Sequence, residues 1–282
     1  MRTGALLRVR LSSSRLPGKA LTPLAGRPAL HHLIDRIATC RHIASRRDIV
    51  VATSTHPSDD ALVPVIEAAG ASIFRGSLED VIDRTWAAAE AFGFDAFTQV
   101  EGDNALSDPG YMELAMDRLL AADEPDIVLV RGLPIGLATK AIRASAVRRV
   151  HDRYVPGPNG TGGFLYFTET GLCNVAEIGP SSRAHVHETL RVTLDYPDDL
   201  TLFEAIVEEL GDRPFGVDEI VALARRRPDL VMLNTHLSGG YWDSSDEQIA
   251  AERLSWRDDA GLVHELAVGT AGRWYTRPRA AA

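Results

Sequence analysis

The chain has 282 residues, 45% of them hydrophobic and 24% charged, with 39 acidic against 30 basic side chains and a formal net charge of -9. This excludes a disordered or fibrous chain and disfavours broad attraction to nucleic acid, while leaving room for a local cationic pocket. Cys40 and Cys173 form no CxxC pair, which speaks against structural zinc or a disulfide scaffold, and the apolar run Ala5-Leu6-Leu7 meets Arg8 and Arg10 too soon for a signal segment or membrane span. A cytoplasmic protein without membrane attachment is the expectation.

A first strand is predicted over Ala5 to Val9, followed by a loop to Lys19 and a helix opened by Pro28 with Leu30, Leu33, Ile34 and Ile37 on one face. Asp48 to Thr53 is a short buried strand. Ser58-Asp59-Asp60 then caps a helix carrying Leu62, Val63, Ile66 and Ala69. Strands over Ala71 to Phe74 and Ala96 to Val100 enclose a helix from Glu79 to Phe92 with Val81, Ile82, Trp86 and Ala89 inward. Pro109 opens a helix carrying Leu114 and Leu119, and Ile127 to Val130 is a strand. The alternation predicts an α/β fold with a largely parallel sheet.

From Pro134 onward the elements spread out: a helical stretch over Ala141 to Val150, a Gly- and Pro-rich loop from Pro156 to Gly163, and segments Phe164 to Phe167 and Arg191 to Leu194 expected to rejoin the sheet. Helices are predicted from Asp198 through Leu210 and around Val217 to Ala224. After Asn234 the pattern weakens through Gly239 to Asp243, a charged helical stretch from Glu247 to Leu254, and a terminus with Trp274 and Arg277.

The loop Arg10-Leu11-Ser12-Ser13-Ser14-Arg15-Leu16-Pro17-Gly18-Lys19 carries three cations among small residues after the first strand, an arrangement suited to a polyanion such as a nucleoside triphosphate. A basic surface loop is the competing account. The spacing is neither GxxxxGK[ST] nor GxGxxG, which disfavours a P-loop NTPase and a nicotinamide enzyme. Asp103 and Asp195 each follow a predicted strand, where two carboxylates can share a hard cation such as Mg2+; a cap or turn role is the alternative for each.

With Gly26-Arg27-Pro28 behind it, Arg10-x4-Arg15-Leu16-Pro17-Gly18-Lys19 resembles the opening signature of the cytidylyltransferases that activate acidic sugars. Phe74-Arg75-Gly76-Ser77-Leu78-Glu79-Asp80-Val81-Ile82-Asp83-Arg84 is closest to the spore-coat polysaccharide branch, called SpsF-like. Val50 to Ser54, Gly102-Asp103, Asp108-Pro109 and Leu190 to Leu200 extend the resemblance over roughly residues 5 to 210. It implies a Rossmann-like nucleotidyltransferase fold, a mainly parallel mixed sheet flanked by helices. The corresponding domain is residues 1–234, with an acceptor or dimerisation insertion at 131–190 and an accessory segment at 235–282.

The resemblance implies that Arg10, Arg15 and Lys19 hold the CTP phosphates and that Ala52, Thr53, Ser77 and Arg84 surround base and ribose. It places Mg2+ on Asp103 and Asp195, the catalytic set being Arg10, Lys19, Asp103 and Asp195. Arg191 and His187 are acceptor-binding candidates; His187, His185 and His264 are also considered as proton acceptors. The implied reaction forms a CMP-activated acidic sugar and pyrophosphate, in a homodimer that binds neither nucleic acid nor membrane. Departures at Ser12, Thr85, Asn104-Ala105 and Gly160 to Gly163 leave other outcomes open: CMP transfer to a phosphonate or polyol phosphate, another nucleotide-sugar pyrophosphorylase, or a weakly catalytic nucleotide-sugar binding protein.

Overall fold

The computed structural model describes residues 1–13, 15–121, 124–156, 161–211, 214–238 and 247–268. Ser14, the loop residues 157–160, the Gly239 to Asp243 stretch and the Trp274 and Arg277 terminus lie outside them. At the centre is a seven-stranded sheet in the order β5-β4-β1-β6-β8-β7-β9. It comprises β1 (Thr3–Arg8), β4 (Ile49–Ser54), β5 (Ser72–Gly76), β6 (Ala96–Glu101), β7 (Ile127–Val130), β8 (Lys140–Arg143) and β9 (Val175–Ile178). β2 (Pro23–Leu24) and β3 (Arg27–Pro28) form a small separate pair. Only β8 runs antiparallel to its neighbours, so Lys140, opposite Gln99, brings its first residue back to the edge where β1, β4 and β6 end.

The central strands are apolar on both faces because helices cover both. Alternate residues of β1 and β4 divide between clusters: Ala5, Leu7, Ile49 and Val51 pack with α1 (Ala29–Ile37) and α2 (Leu62–Ala68). Leu6, Val50 and Ala52 pack in the cluster of α3 (Val81–Ala91) and α5 (Ala144–Arg153). A third cluster joins α4 (Pro109–Leu120), α7 (Pro197–Leu210), α8 (Val217–Arg226) and α9 (Pro228–Met232). In α1 the buried Leu30, Leu33, Ile34 and Ile37 are the predicted stripe at helical spacing.

Several expectations are corrected. Residues 141–143 of the predicted helix belong to β8, and α5 begins only at Ala144. Phe164 to Phe167 is not a strand but a helical turn, ending in α6 (Leu165–Thr168): a short apolar run has no period that separates buried strand from buried helix. Arg191 to Leu194 forms no ladder and keeps one bridge, Arg191 to Ile135. The edge strand next to β7 is β9, whose residues are all at least partly accessible and therefore lack the apolar run of a buried strand. Of the two leucines noted in α4, Leu119 is buried with Tyr111, Met112, Ala115 and Met116, and Leu114 is 43% exposed. Only residues 247–251 of the charged C-terminal stretch are helical; β10 (Arg253–Arg257) and β11 (Val263–Ala267) then form a hairpin.

Candidate active site

The Arg10 to Lys19 loop leaves β1 and is folded back on itself: the Gly18 and Ser13 amides both donate to the Leu11 carbonyl. Gly18 has φ of 71°, a left-handed conformation that a Cβ would strain, and it turns the chain so that Lys19 re-enters the site. The loop is anchored by Asp59, which was expected to cap the following helix. Instead Asp59 is buried, with Oδ1 accepting from the Leu11 amide at 2.8 Å and Oδ2 from the hydroxyls of Thr53 and Ser54. Burial pushes its pKa up, and these donors more than offset that, holding it below the ordinary carboxylate value.

Lys19 is the centre of the arrangement. Its Nζ donates to Asp103 Oδ2 at 2.7 Å and Asp195 Oδ1 at 2.8 Å, joining the end of β6 to the loop before α7. The Leu194 amide donates to the Asp103 carbonyl at 2.8 Å, so the two segments are also tied through backbone. Burial works against the Lys19 ammonium, but Asp103 and Asp195 outweigh it and raise its pKa. The carboxylates respond unequally. Burial, reinforced by Asp195, raises Asp103 despite Lys19; Asp195 is lowered because Lys19, Arg15 and Arg191 together overcome its burial.

Arg15 Nη2 also donates to Asp195 Oδ1 at 2.8 Å, and its guanidinium lies 5.6 Å from the Tyr196 ring centroid. Arg10 is exposed, with Nη1 donating to the Leu78 carbonyl at 2.9 Å. Both retain surface facing solvent. Arg84, by contrast, is 3% exposed beneath the loop after β5: its Nη1 donates to the carbonyls of Ser77 and Leu78, and burial followed by the nearby Arg10 and Arg8 lowers its pKa to about 10. Thr53 and Ala52 are buried, the Thr53 hydroxyl being used on Asp59, and Ser77 Oγ accepts from the Asp80 amide at 3.0 Å. All four side chains are thus buried or engaged within the protein.

Arg191, expected beside an acceptor, is instead fully buried. Its Nη2 donates to Asp195 Oδ2 at 2.9 Å and its Nε to Asp199 Oδ1 at 3.2 Å, while Asn234 Nδ2 donates to the Arg191 carbonyl and to Asp199. Asp199 Oδ2 accepts from the Asp195 and Tyr196 amides. Arg191 is therefore a strut that orients Asp195. Gly136 permits the neighbouring segment to approach: a Cβ there would lie 1.9 Å from the Val192 carbonyl oxygen.

The histidines stand outside this cluster. His185 Nδ1 lies 2.8 Å from the Tyr111 hydroxyl and Nε2 lies 2.8 Å from Asp218; His187 Nδ1 accepts from the Leu190 amide; His264 pairs with Asp258 on the C-terminal hairpin. The pKa of His187 is lowered by burial first and Arg225 second.

One charged group was not anticipated. Arg8 Nε donates to Glu101 Oε2 at 2.9 Å, and Lys140 Nζ donates to Glu101 Oε1 at 3.1 Å while lying 4.5 Å from the Phe164 ring centroid. All three are partly accessible and occupy the same sheet edge as Asp103. Burial pushes Glu101 up, but Arg8 and then Lys140 hold it far below the usual carboxylate range; Lys140 is lowered by burial and by Arg8. The only sequence signal was Glu101 standing two residues before Asp103, with nothing to connect it to Arg8 or Lys140.

Residues 5–168 match the family model described as cytidylyltransferase. The chain is similar to the spore coat polysaccharide biosynthesis protein SpsF of Bacillus subtilis, at 27% identity over 79% of this chain and 94% of that protein. It is also similar to 3-deoxy-manno-octulosonate cytidylyltransferase of Yersinia pseudotuberculosis, at 31% identity over 52% of this chain and 57% of that one. Among solved structures, a cytidylyltransferase from Leptospira borgpetersenii superposes with a TM-score of 0.73 at 20% identity, covering 82% of this chain and 97% of the other. A CMP:2-keto-3-deoxy-manno-octonic acid synthetase complexed with CTP gives 0.57 at 16% identity, covering 75% and 100%. These two structures share the fold.

Proposed function

The chain belongs to the cytidylyltransferase family, and from that premise we propose that it transfers CMP from CTP to an anionic small-molecule acceptor, a 2-keto acidic sugar in the first instance. The acceptor oxygen forms a bond to the α-phosphorus as the bond from that phosphorus to the bridging oxygen breaks, pyrophosphate leaves with the electron pair, and the acceptor hydroxyl proton is released. The observation that carries the reading is the Lys19 ammonium held between Asp103 and Asp195 at the root of the Arg10 to Lys19 loop.

Asp103 and Asp195 fit Mg2+. Both are hard oxygen donors already converging on one cationic centre. No set of three or more His, Cys, Asp or Glu forms a metal site among the described residues, so the two aspartates would hold the ion together with phosphate oxygens. Such an ion supplies charge neutralisation and polarisation at the α-phosphoryl group. Arg10 and Arg15 offer donors to the outer phosphates, and Lys19, on a flexible stem, can exchange a carboxylate for a phosphate oxygen. Arg191 keeps Asp195 ionised and oriented throughout.

On the acceptor side, Arg8 and Lys140 place two positive charges against Glu101, a local surplus that supports an anionic acceptor. The similarity to a 3-deoxy-manno-octulosonate enzyme supports an acidic sugar as its class. Pyrophosphate release from CTP, UTP and GTP, measured with Mg2+ and a panel of acidic sugars, phosphonates and polyol phosphates, tests the reading. CTP-dependent turnover yielding a product with the mass of a CMP conjugate is expected. Turnover with UTP or GTP in place of CTP would sink it.

A further inference from the structure

The loop between β5 and α3 holds two of the site's cations by its carbonyls: Leu78 accepts from Arg10 and Arg84, and Ser77 accepts from Arg84. Such a loop keeps its place only if something holds it from behind. Asp80 does so with both carboxylate oxygens. Oδ1 accepts the Ile82 and Asp83 amides at 3.0 Å, capping α3, and Oδ2 accepts the Tyr154 hydroxyl at 2.6 Å.

Tyr154 is fixed in turn by the C-terminal hairpin, which lies beyond the residues matched to the family. Its backbone bridges Trp256 in antiparallel fashion, the Val155 amide donates to the Ser255 carbonyl at 2.8 Å, and the Ser255 amide donates to the Tyr166 hydroxyl at 3.2 Å. Tyr154 and Tyr166 meet edge to face at 5.9 Å, and the fully buried Leu254 shares one apolar cluster with Ile82 and Tyr154. Arg153 adds an ion pair to Asp259 in the hairpin turn.

We infer that the β10–β11 hairpin is a brace for the nucleotide-side loop, acting through the Tyr154 hydroxyl on Asp80, and that Tyr154 is a positioning residue for Arg10 and Arg84. This rests on the reading that the Arg10 side of the site receives CTP. A phenol bonded to a carboxylate is a charge-assisted contact, and both oxygens of Asp80 are engaged, so the side chain has one orientation to offer the loop. Contacts that hold the nucleotide equally in ground and transition states affect KM and leave kcat nearly unchanged.

Tyr154→Phe removes only the hydroxyl and keeps the packing. The expected result is a CTP KM raised about three- to tenfold with kcat within about twofold, from loss of one charge-assisted hydrogen bond. Faster hydrogen exchange at the amides of Asp80, Ile82 and Asp83 is also expected. Leu254→Ala, on the hairpin, should accelerate exchange at the same three amides, with circular dichroism establishing that the variant is folded. Unchanged exchange there in Tyr154→Phe, or an unchanged CTP KM in an active enzyme, would overturn the brace. Wild-type protein inactive with CTP, with exchange at the three amides accelerated in Tyr154→Phe, would refute the CTP reading while retaining the brace.

Discussion

Two groups of charges share the carboxyl edge of the sheet, and they are built differently. In the first, Lys19, Arg15 and Arg191 face Asp103, Asp195 and Asp199, equal numbers of opposite charges, with Arg191 and Asp199 fully buried. In the second, Arg8 and Lys140 face Glu101 alone, and all three are partly accessible. The balanced group is suited to holding carboxylates in one geometry, whereas the surplus cation of the other is suited to receiving a charge from outside. Burial sets Arg191, Asp195 and Asp199 apart from the other charges of both groups: a buried ion pair that loses one member leaves an uncompensated charge, while an accessible one is relieved by water.

The largest contrast is expected in turnover. Asp195→Asn should lower kcat by about two orders of magnitude or more, as loss of a group that stabilises transition-state charge does, with circular dichroism at the assay temperature separating that loss from the destabilisation expected when a buried carboxylate is removed; an undiminished initial rate with saturating Mg2+ would remove Asp195 from the chemistry. Next, Arg191→Met leaves the fully buried Asp199 without its cationic partner, while Asp195 keeps Lys19 and Arg15, and should cost about 3–5 kcal/mol in a denaturant titration. Near-wild-type stability would show that the strut is dispensable.

The second group answers to milder tests. Lys140→Met should raise the acceptor KM about tenfold and leave the CTP KM within about twofold, since one charge-assisted contact to the acceptor is lost. Equal rises in both constants would place Lys140 on the nucleotide side instead. The smallest effect concerns acid. Glu101 is held below its ordinary value of 4.5, so its contribution to stability is present above that pH and lost as pH falls through the lower folded-state value. Glu101→Gln should therefore melt below wild type at neutral pH, with the gap narrowing as the pH is lowered from 4.5. A gap that widens in acid would reverse the sign.

The same contrast explains what could be read in advance. Lys19, Arg15 and Asp195 sit in segments with their own signatures, and for Lys19 the left-handed Gly18 dictates the local path. Arg191 was visible in the same stretch, yet its role was misplaced because burial is not a property of the segment: Asn234 and Asp199 close around it from elsewhere. Phe164 to Phe167 was misassigned for a related reason, its apolarity recording burial and not backbone form. Thr53 and Ala52 were correctly placed on a buried strand, but only the packed structure shows the Thr53 hydroxyl committed to Asp59.

By itself the sequence determined the alternating α/β order, the cationic loop from Arg10 to Lys19 and the place of Asp103 just past the end of β6, because each follows from short-range pattern, whereas Asp195 follows a segment that keeps one bridge and forms no strand. Tertiary structure alone decided that Lys19 bridges these two aspartates, that Arg191 is a strut, that Arg8, Glu101 and Lys140 form one group, and that Tyr154 reaches Asp80. Each requires residues far apart in the chain to meet at one register, and that register is set by the order of strands in the sheet and by the antiparallel return of β8.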